Sequence, residues 1–237
     1  MAAESREQKK TRALKVINLL HKIYPDAKCS LDHKTPFQLL VATILSAQCT
    51  DARVNMTTPG LFSKFQTPED FANADLSQLE SLIKSTGFYK NKAKNIKAAA
   101  KELVSKYGGK VPQTMDELFG LAGVGRKTAN VVLGNAFGVP SMVVDTHVTR
   151  LSNRLGWVKT EDAVKIESAL MDLIPRTEWT DLSHLLIYHG RAICLARSPR
   201  CDDCQIFRFC PKRGVERNKS DRPINKPKAS LKAEGAS

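Results

Sequence analysis

Along most of this chain apolar residues recur at three- and four-residue spacing, the period of helices that bury one face. Thr11 to Tyr24 carries Leu14, Ile17, Leu20 and His21 at that spacing and stops at Pro25, which cannot continue a helix. Phe37 to Ser46 is apolar almost all round, as a helix at the centre of a core would be. Further helices are expected over Leu76 to Ser85, Lys92 to Tyr107, Thr114 to Phe119, Arg126 to Phe137, Thr146 to Leu155, Glu161 to Leu173 and Asp181 to Cys194. Met142-Val143-Val144 has the composition of a short strand, but no second run pairs with it. The expectation is an all-α fold without an internal repeat. The first dozen residues, and everything after about Arg213, are polar and Lys-rich with no such period, so both read as disordered basic arms.

Composition narrows the class. A chain of 237 residues can bury one large core or two small ones. No apolar run approaches the ~20 residues that span a bilayer. The start also lacks the apolar core of a signal peptide, so no membrane role is expected. The net charge of +13 favours a polyanionic partner, although charge alone does not choose between nucleic acid, headgroups and solubility. Beyond Cys210 the tail holds eight basic residues against Glu216, Asp221 and Glu234.

Four cysteines, Cys194, Cys201, Cys204 and Cys210, follow the last expected helix with the spacing Cys-x6-Cys-x2-Cys-x5-Cys. Thiolates are the soft ligands of iron–sulfur clusters and of zinc, and four in one stretch make a complete set. Structural zinc more often uses two tight pairs, and only Cys201 and Cys204 form one here. Disulfides would need an oxidising compartment. Cys29 and Cys49 lie far away and read as reduced core thiols.

Leu118 to Asn130 joins two expected helices through the turn Gly120-Leu-Ala-Gly-Val-Gly125. Gly123 and Gly125 permit positive φ and close backbone approach, and the free N–H groups of the next helix suit a phosphate. The extended string reads as a helix-hairpin-helix, a sequence-independent grip on a DNA backbone. Lys127 falls in the first turn of that helix, beside Arg126. The helix dipole and Arg126 both disfavour an ammonium there. Lys127 therefore either points to solvent or a phosphate, or presents a neutral amine, the nucleophile of Schiff-base chemistry. Asp145 opens the next helix in Asp145-Thr146-His147, where it caps the helix and can also hold a carboxylate rigidly near the hairpin.

Gly123-Val-Gly-Arg-Lys-Thr-Ala-Asn-Val-Val-Leu133, Ala136-Phe-Gly138, Val144-Asp-Thr-His147, Arg150 and Arg154 together strongly resemble the endonuclease III family. So do His184, His189-Gly-Arg191 and the four cysteines, and, earlier, Pro36-Phe37 and Ser46-Ala-Gln-Cys-Thr-Asp51. The resemblance covers roughly residues 12 to 212.

It implies a two-domain, all-α helix-hairpin-helix DNA glycosylase fold: a six-helix domain over residues 29–139 and a [4Fe-4S] cluster domain from 13–28 plus 140–212, with basic arms at 1–12 and 213–237. It implies double-stranded damaged DNA as partner, and a monomeric base-excision enzyme that removes oxidised pyrimidines of the thymine glycol type and nicks abasic sites by β-elimination. Lys127 would attack C1′ and Asp145 would assist. Gln48 would fill the gap left by the extruded base, and Phe88 would be the second wedge. Gly123, Gly125, Arg126, His147, Arg197 and Arg200 would contact DNA, Ser46 and Asp51 would lie near the lysine, and Cys194, Cys201, Cys204 and Cys210 would hold the [4Fe-4S] cluster. With no long targeting extension in the sequence, a bacterial, nucleoid-associated cytoplasmic location is expected.

Three residues depart from the pattern. Ala122 replaces the usual hairpin proline, Phe119 sits where some members carry glutamate, and Phe88 replaces leucine. They bear on substrate range and turnover. A monofunctional adenine glycosylase shares the cluster but lacks the hairpin lysine. A non-catalytic DNA-binding paralogue would not need Lys127 and Asp145 together.

Overall fold

A computed structural model describes residues 4–215, and every regular element among them is helical. In chain order these are α1 (Arg6–Ile23), α2 (Pro36–Leu45), α3 (Asp51–Lys64), α4 (Pro68–Asn73), α5 (Leu76–Ile83), α6 (Tyr89–Tyr107), α7 (Met115–Phe119), α8 (Arg126–Phe137), α9 (Thr146–Arg154), α10 (Ala163–Leu173) and α11 (Trp179–Ala192). The all-α expectation holds. The basic tail expected at 213–237 lies outside the described residues from 216 onward.

Two apolar cores organise these helices. One is built from residues between Leu31 and Leu133, with Leu39, Leu40, Leu61, Phe71, Leu103 and Leu118 fully buried. The other joins Ala13, Val16, Ile17 and Leu20 of α1 to residues between Met142 and Ile206. The chain crosses between cores at Val139 to Val144, and α8 ends just before that crossing. Met142-Val143-Val144 is extended but pairs with no strand. Side chains satisfy its main chain instead: Asn130 Nδ2 donates to Met142 O (3.0 Å), and Val143 N donates to Ser183 Oγ (3.0 Å).

The segment expected to be a disordered arm through residue 12 is helical from Arg6. Ser5 caps α1 by accepting from Gln8 N, while the Gln8 side chain accepts from Ser5 N. Arg12 then bonds Leu155 O (2.8 Å), Phe209 O (2.9 Å) and Glu4, so residues 6–12 are pinned onto the second core.

Helices α3 and α4 lie where the apolar period predicts none. Both begin on a threonine cap, Thr50 accepting from Arg53 N and Thr67 from Asp70 N. Pro59 lies inside α3, where Pro59-Gly60 reads as a break in sequence.

Candidate DNA-binding and catalytic cleft

Helix α8 starts directly from the glycine turn. Gly125 is its N-cap and offers no side chain, so the first-turn N–H groups stay free for a ligand. Gly123 adopts φ +74°, and a Cβ there would meet Asn95 of α6 at 2.7 Å, so the turn packs too tightly for any other residue. Gly125, by contrast, has φ −93°, and a Cβ there would meet nothing, so its surface is open to a close partner rather than strained.

Lys127, in the first turn of α8, is exposed and lines an open groove with Asp145, Thr149, Arg150 and Asn153. The groove encloses about 1240 Å³ including its open mouth. Asp145 caps α9: its Oδ1 accepts from Val148 N at 2.8 Å, which fixes the carboxylate and leaves Oδ2 unassigned. The expected nucleophile and carboxylate thus face one space.

His147, one turn into α9, accepts at Nδ1 from Arg150 Nη2 (3.1 Å) and packs over Gly190 of α11. Burial lowers its pKa, the cations Arg150, Arg191 and Lys127 lower it further, and Asp145 opposes them. The ring is therefore neutral at physiological pH, with Nδ1 occupied and its proton on Nε2, a donor available to an anion.

Asp51, at the start of α3, joins the two halves. Its Oδ2 accepts from Ser30 Oγ (2.6 Å) and from Arg191 Nη2 of α11 (2.7 Å). Burial raises its pKa, but Ser30, Arg191 and the charge of Lys127 outweigh this and hold it below the ordinary value. Ser46 caps the end of α2 by donating to Thr43 O (2.8 Å). Arg126, expected to contact DNA, is bound on two nitrogens by the buried Glu167 of α10, at 2.7 and 2.9 Å. Its guanidinium ties the hairpin helix to the second core.

Four non-glycine residues among those described have positive φ: Gln48 (53°), Phe88 (47°), Ser198 (49°) and Lys212 (57°). The first two are the expected wedges, and both are exposed, Phe88 by 64%. Such conformations are costly outside glycine and cluster at functional sites. Ser198 lies between Arg197 and Arg200, both exposed on the cysteine loop.

All four cysteines of the loop line one pocket, about 430 Å³ including its open mouth, with Arg154, His189 and Ile206, and none forms a disulfide. Among the described residues no three of His, Cys, Asp and Glu converge as the ligands of a single ion would. Arg154 Nη1 donates to Cys194 Sγ (3.3 Å), and His189 Nε2 stands 3.5 Å from Cys204 Sγ. Burial pushes the Cys204 thiol up to about 11, and the other three sulfurs push the same way. Four thiolates in this setting need positive charge among them, so the donor set fits a cationic metal–sulfur group.

The sequence reading assigned no role to Arg150, Arg154, Glu167, Arg191 or His189. A buried arginine beside irregular chain is the signal: Arg154 alone donates to Leu195 O (2.7 Å) and Ala196 O (2.9 Å).

Comparison with known proteins agrees with this geometry. Residues 41–176 match the family model described as HhH-GPD superfamily base excision DNA repair protein. The fold and site therefore define a helix-hairpin-helix base excision repair protein. The chain is 54% identical to the endonuclease III of Synechocystis sp. over 204 residues, covering 86% of this chain and 93% of that one. It is 38% identical to that of Escherichia coli over 201 residues, covering 85% and 95%. A solved structure of a non-covalent endonuclease III–DNA complex superposes with a TM-score of 0.82 at 47% identity, covering 86% and 95%. The chain belongs to the endonuclease III family, and with it to the DNA glycosylase/AP lyase class of DNA-binding enzymes.

Proposed function

We propose that this protein excises oxidised pyrimidines of the thymine glycol type from double-stranded DNA and then cleaves the strand 3′ to the abasic site. Lys127 Nζ bonds to C1′ as the glycosidic bond breaks and the base departs with a proton. The resulting amine–sugar adduct opens to a Schiff base. Loss of a C2′ proton then expels the 3′ phosphate by β-elimination, and water releases Lys127. Asp145 stabilises positive charge on the sugar and relays protons. The observation that carries this reading is that Lys127 and Asp145 line one groove. A relative of 47% identity has been solved as a trapped endonuclease III–DNA covalent intermediate, which supports it.

Around that chemistry, Gln48 and Phe88 enter the stack, and Ser46 and Asp51 border the pocket. Gly123, Gly125, the main chain at Arg126, His147, Arg197 and Arg200 hold the backbone. Cys194, Cys201, Cys204 and Cys210 hold a [4Fe-4S] cluster. Four thiols that ring a cavity suit a polynuclear group. When bound, it cross-links the loop that presents Arg197 and Arg200. The division into 13–28 plus 140–212 and 29–139 belongs to this proposal and is supported by the two cores. So does action as a monomer in a bacterial cytoplasm on the nucleoid, supported by the bacterial relatives. No described helix is long and apolar enough to cross a membrane.

Borohydride trapping on two duplexes, one with an abasic site and one with thymine glycol, tests the reading. Adducts on both, absent in Lys127→Ala, are expected. Trapping on the abasic duplex alone would leave a lyase reading another base, with Phe119 and Phe88 the first places to look. No adduct on either would leave a DNA-binding protein.

A further inference from the structure

Lys92, in the first turn of α6, is 5% exposed and the one buried lysine among the described residues. Its Nζ donates to Leu45 O and to Thr86 O, both at 2.8 Å. Leu45 is the last residue of α2, three before Gln48, and Thr86 stands two before Phe88. One ammonium therefore bridges the two segments that carry the exposed, positive-φ residues Gln48 and Phe88.

We propose that Lys92 is a positioning residue that couples the Gln48 and Phe88 loops, so that the two wedges enter the base stack as one unit. This rests on the proposed glycosylase function. Carbonyls only accept hydrogen bonds and an ammonium only donates, so the bridge forms with the charged side chain. The end of α2 carries partial negative charge, which favours a cation there. Burial works against the charge and lowers the pKa, while the two hydrogen bonds to carbonyls favour the protonated form. No side chain of Gln48 or Phe88 is needed for the tie, so the two wedges are free to point outward. Each left-handed residue is unfavourable alone and persists where its neighbours over-determine it. Lys92 fixes the main chain just upstream of both. Without it, each loop would relax separately, and the gap into which a base pair must fit would lose its width.

The test compares two substrates in the holoenzyme. Lys92→Met keeps the length and apolar stem but removes the donors. Base extrusion depends on the wedges, whereas a preformed abasic site has no base to expel. Excision of a paired thymine glycol should therefore fall about tenfold, while cleavage of a preformed abasic site falls less than about threefold. In a Gln48→Ala, Phe88→Ala background the same substitution should add less than about twofold. Equal losses on both substrates, no loss, or an undiminished loss in the wedge-less background would each overturn the proposal. If Lys92→Met fails to fold, Lys92→Gln, whose shorter amide stem does not span both carbonyls, is measured in the same way: a loss confined to the paired lesion supports the tie, and equal losses on both substrates or no loss overturn it. Inactivity of the unaltered protein on both substrates would instead sink the glycosylase reading. The two failures are thereby distinguishable.

Discussion

One core is drawn from a continuous stretch of chain, Leu31 to Leu133, while the other combines the N-terminal helix with residues from Met142 onward. Their peripheries differ more than their centres. In the first, chain leaving a helix soon enters the next. In the second, residues beyond Ala192 run without an α-helix as far as the structure is described. Main-chain carbonyls in such a segment must find donors. Three arginines supply them: Arg154 to Leu195 O and Ala196 O, Arg150 to Cys194 O, and Arg12 to Phe209 O. Both halves set cations on carbonyls, but the first uses lysines between helices, Lys92 on Leu45 O and Thr86 O and Lys97 on Ala74 O, whereas the second uses arginines on the irregular chain around the cysteines. The proposed catalysis draws on both, since Lys127 starts from the first half and Asp145 caps the second half's α9.

Replacing Arg154 with methionine is the strongest way to sharpen this contrast. Arg154 is 9% exposed, and its loss strands several carbonyls and the Cys194 sulfur. Each unsatisfied buried acceptor costs ~1–3 kcal/mol, so a loss of about 3 kcal/mol is expected. Hydrogen exchange should show protection lost from 194 to 213, with α2 and α8 unchanged. Uniform loss across both cores would break the comparison.

Gly190→Ala probes the contact between α11 and the first turn of α9, which Asp145 caps. The new methyl would lie 2.7 Å from His147 Nδ1, 3.0 Å from Arg150 Nη2 and 3.3 Å from His147 Cβ. The arginine tip can swing aside, but the contact with His147 Cβ, next to the main chain, presses on the first turn of α9 that Asp145 caps. Overpacking of this kind costs roughly 1–3 kcal/mol. A thermal melt should show that loss, and the trapping rate should fall with it. Full activity with an unchanged melt would mean that α9 and α11 are freer than they pack.

Legibility in sequence followed the same divide. The hairpin was readable because Gly-x-Gly, the lysine and a clean helical period sit within a dozen residues. The start of α1 was missed even though Ser5-Arg-Glu-Gln8 is a capping-box signature, because no apolar face followed it at once. Pro59-Gly60 hid α3, whose buried face is only Val54, Thr58 and Leu61. The left-handed turns at Gln48 and Phe88 were beyond reading, since neither residue type favours them. Arg126 is expected to contact DNA by its place in the hairpin motif, but its ion pair is not legible there. Its partner Glu167 lies 41 residues away, and nothing local announces the pair.

The smallest expected effect concerns the bridge between the halves. Asp51→Asn removes the charge that holds Arg191, but the pair is partly solvated, with side-chain exposures of 26% and 47%. Screening limits its worth to roughly 0.5–1 kcal/mol, and less at high salt. The sign of its pH dependence follows from the carboxyl being held below its ordinary value of 3.8 in the folded protein. A depressed carboxyl contributes fully above its unfolded pKa and loses that contribution as pH falls through the folded one. The stability gap between the unaltered protein and Asp51→Asn should therefore be flat from about pH 5 to 8 and close in acid below the ordinary carboxyl value. Chemical unfolding at several pH values measures it. A gap that shrank near neutrality would trace to a histidine. The bridge would then be held by His147 or its neighbours rather than by the Asp51 carboxylate.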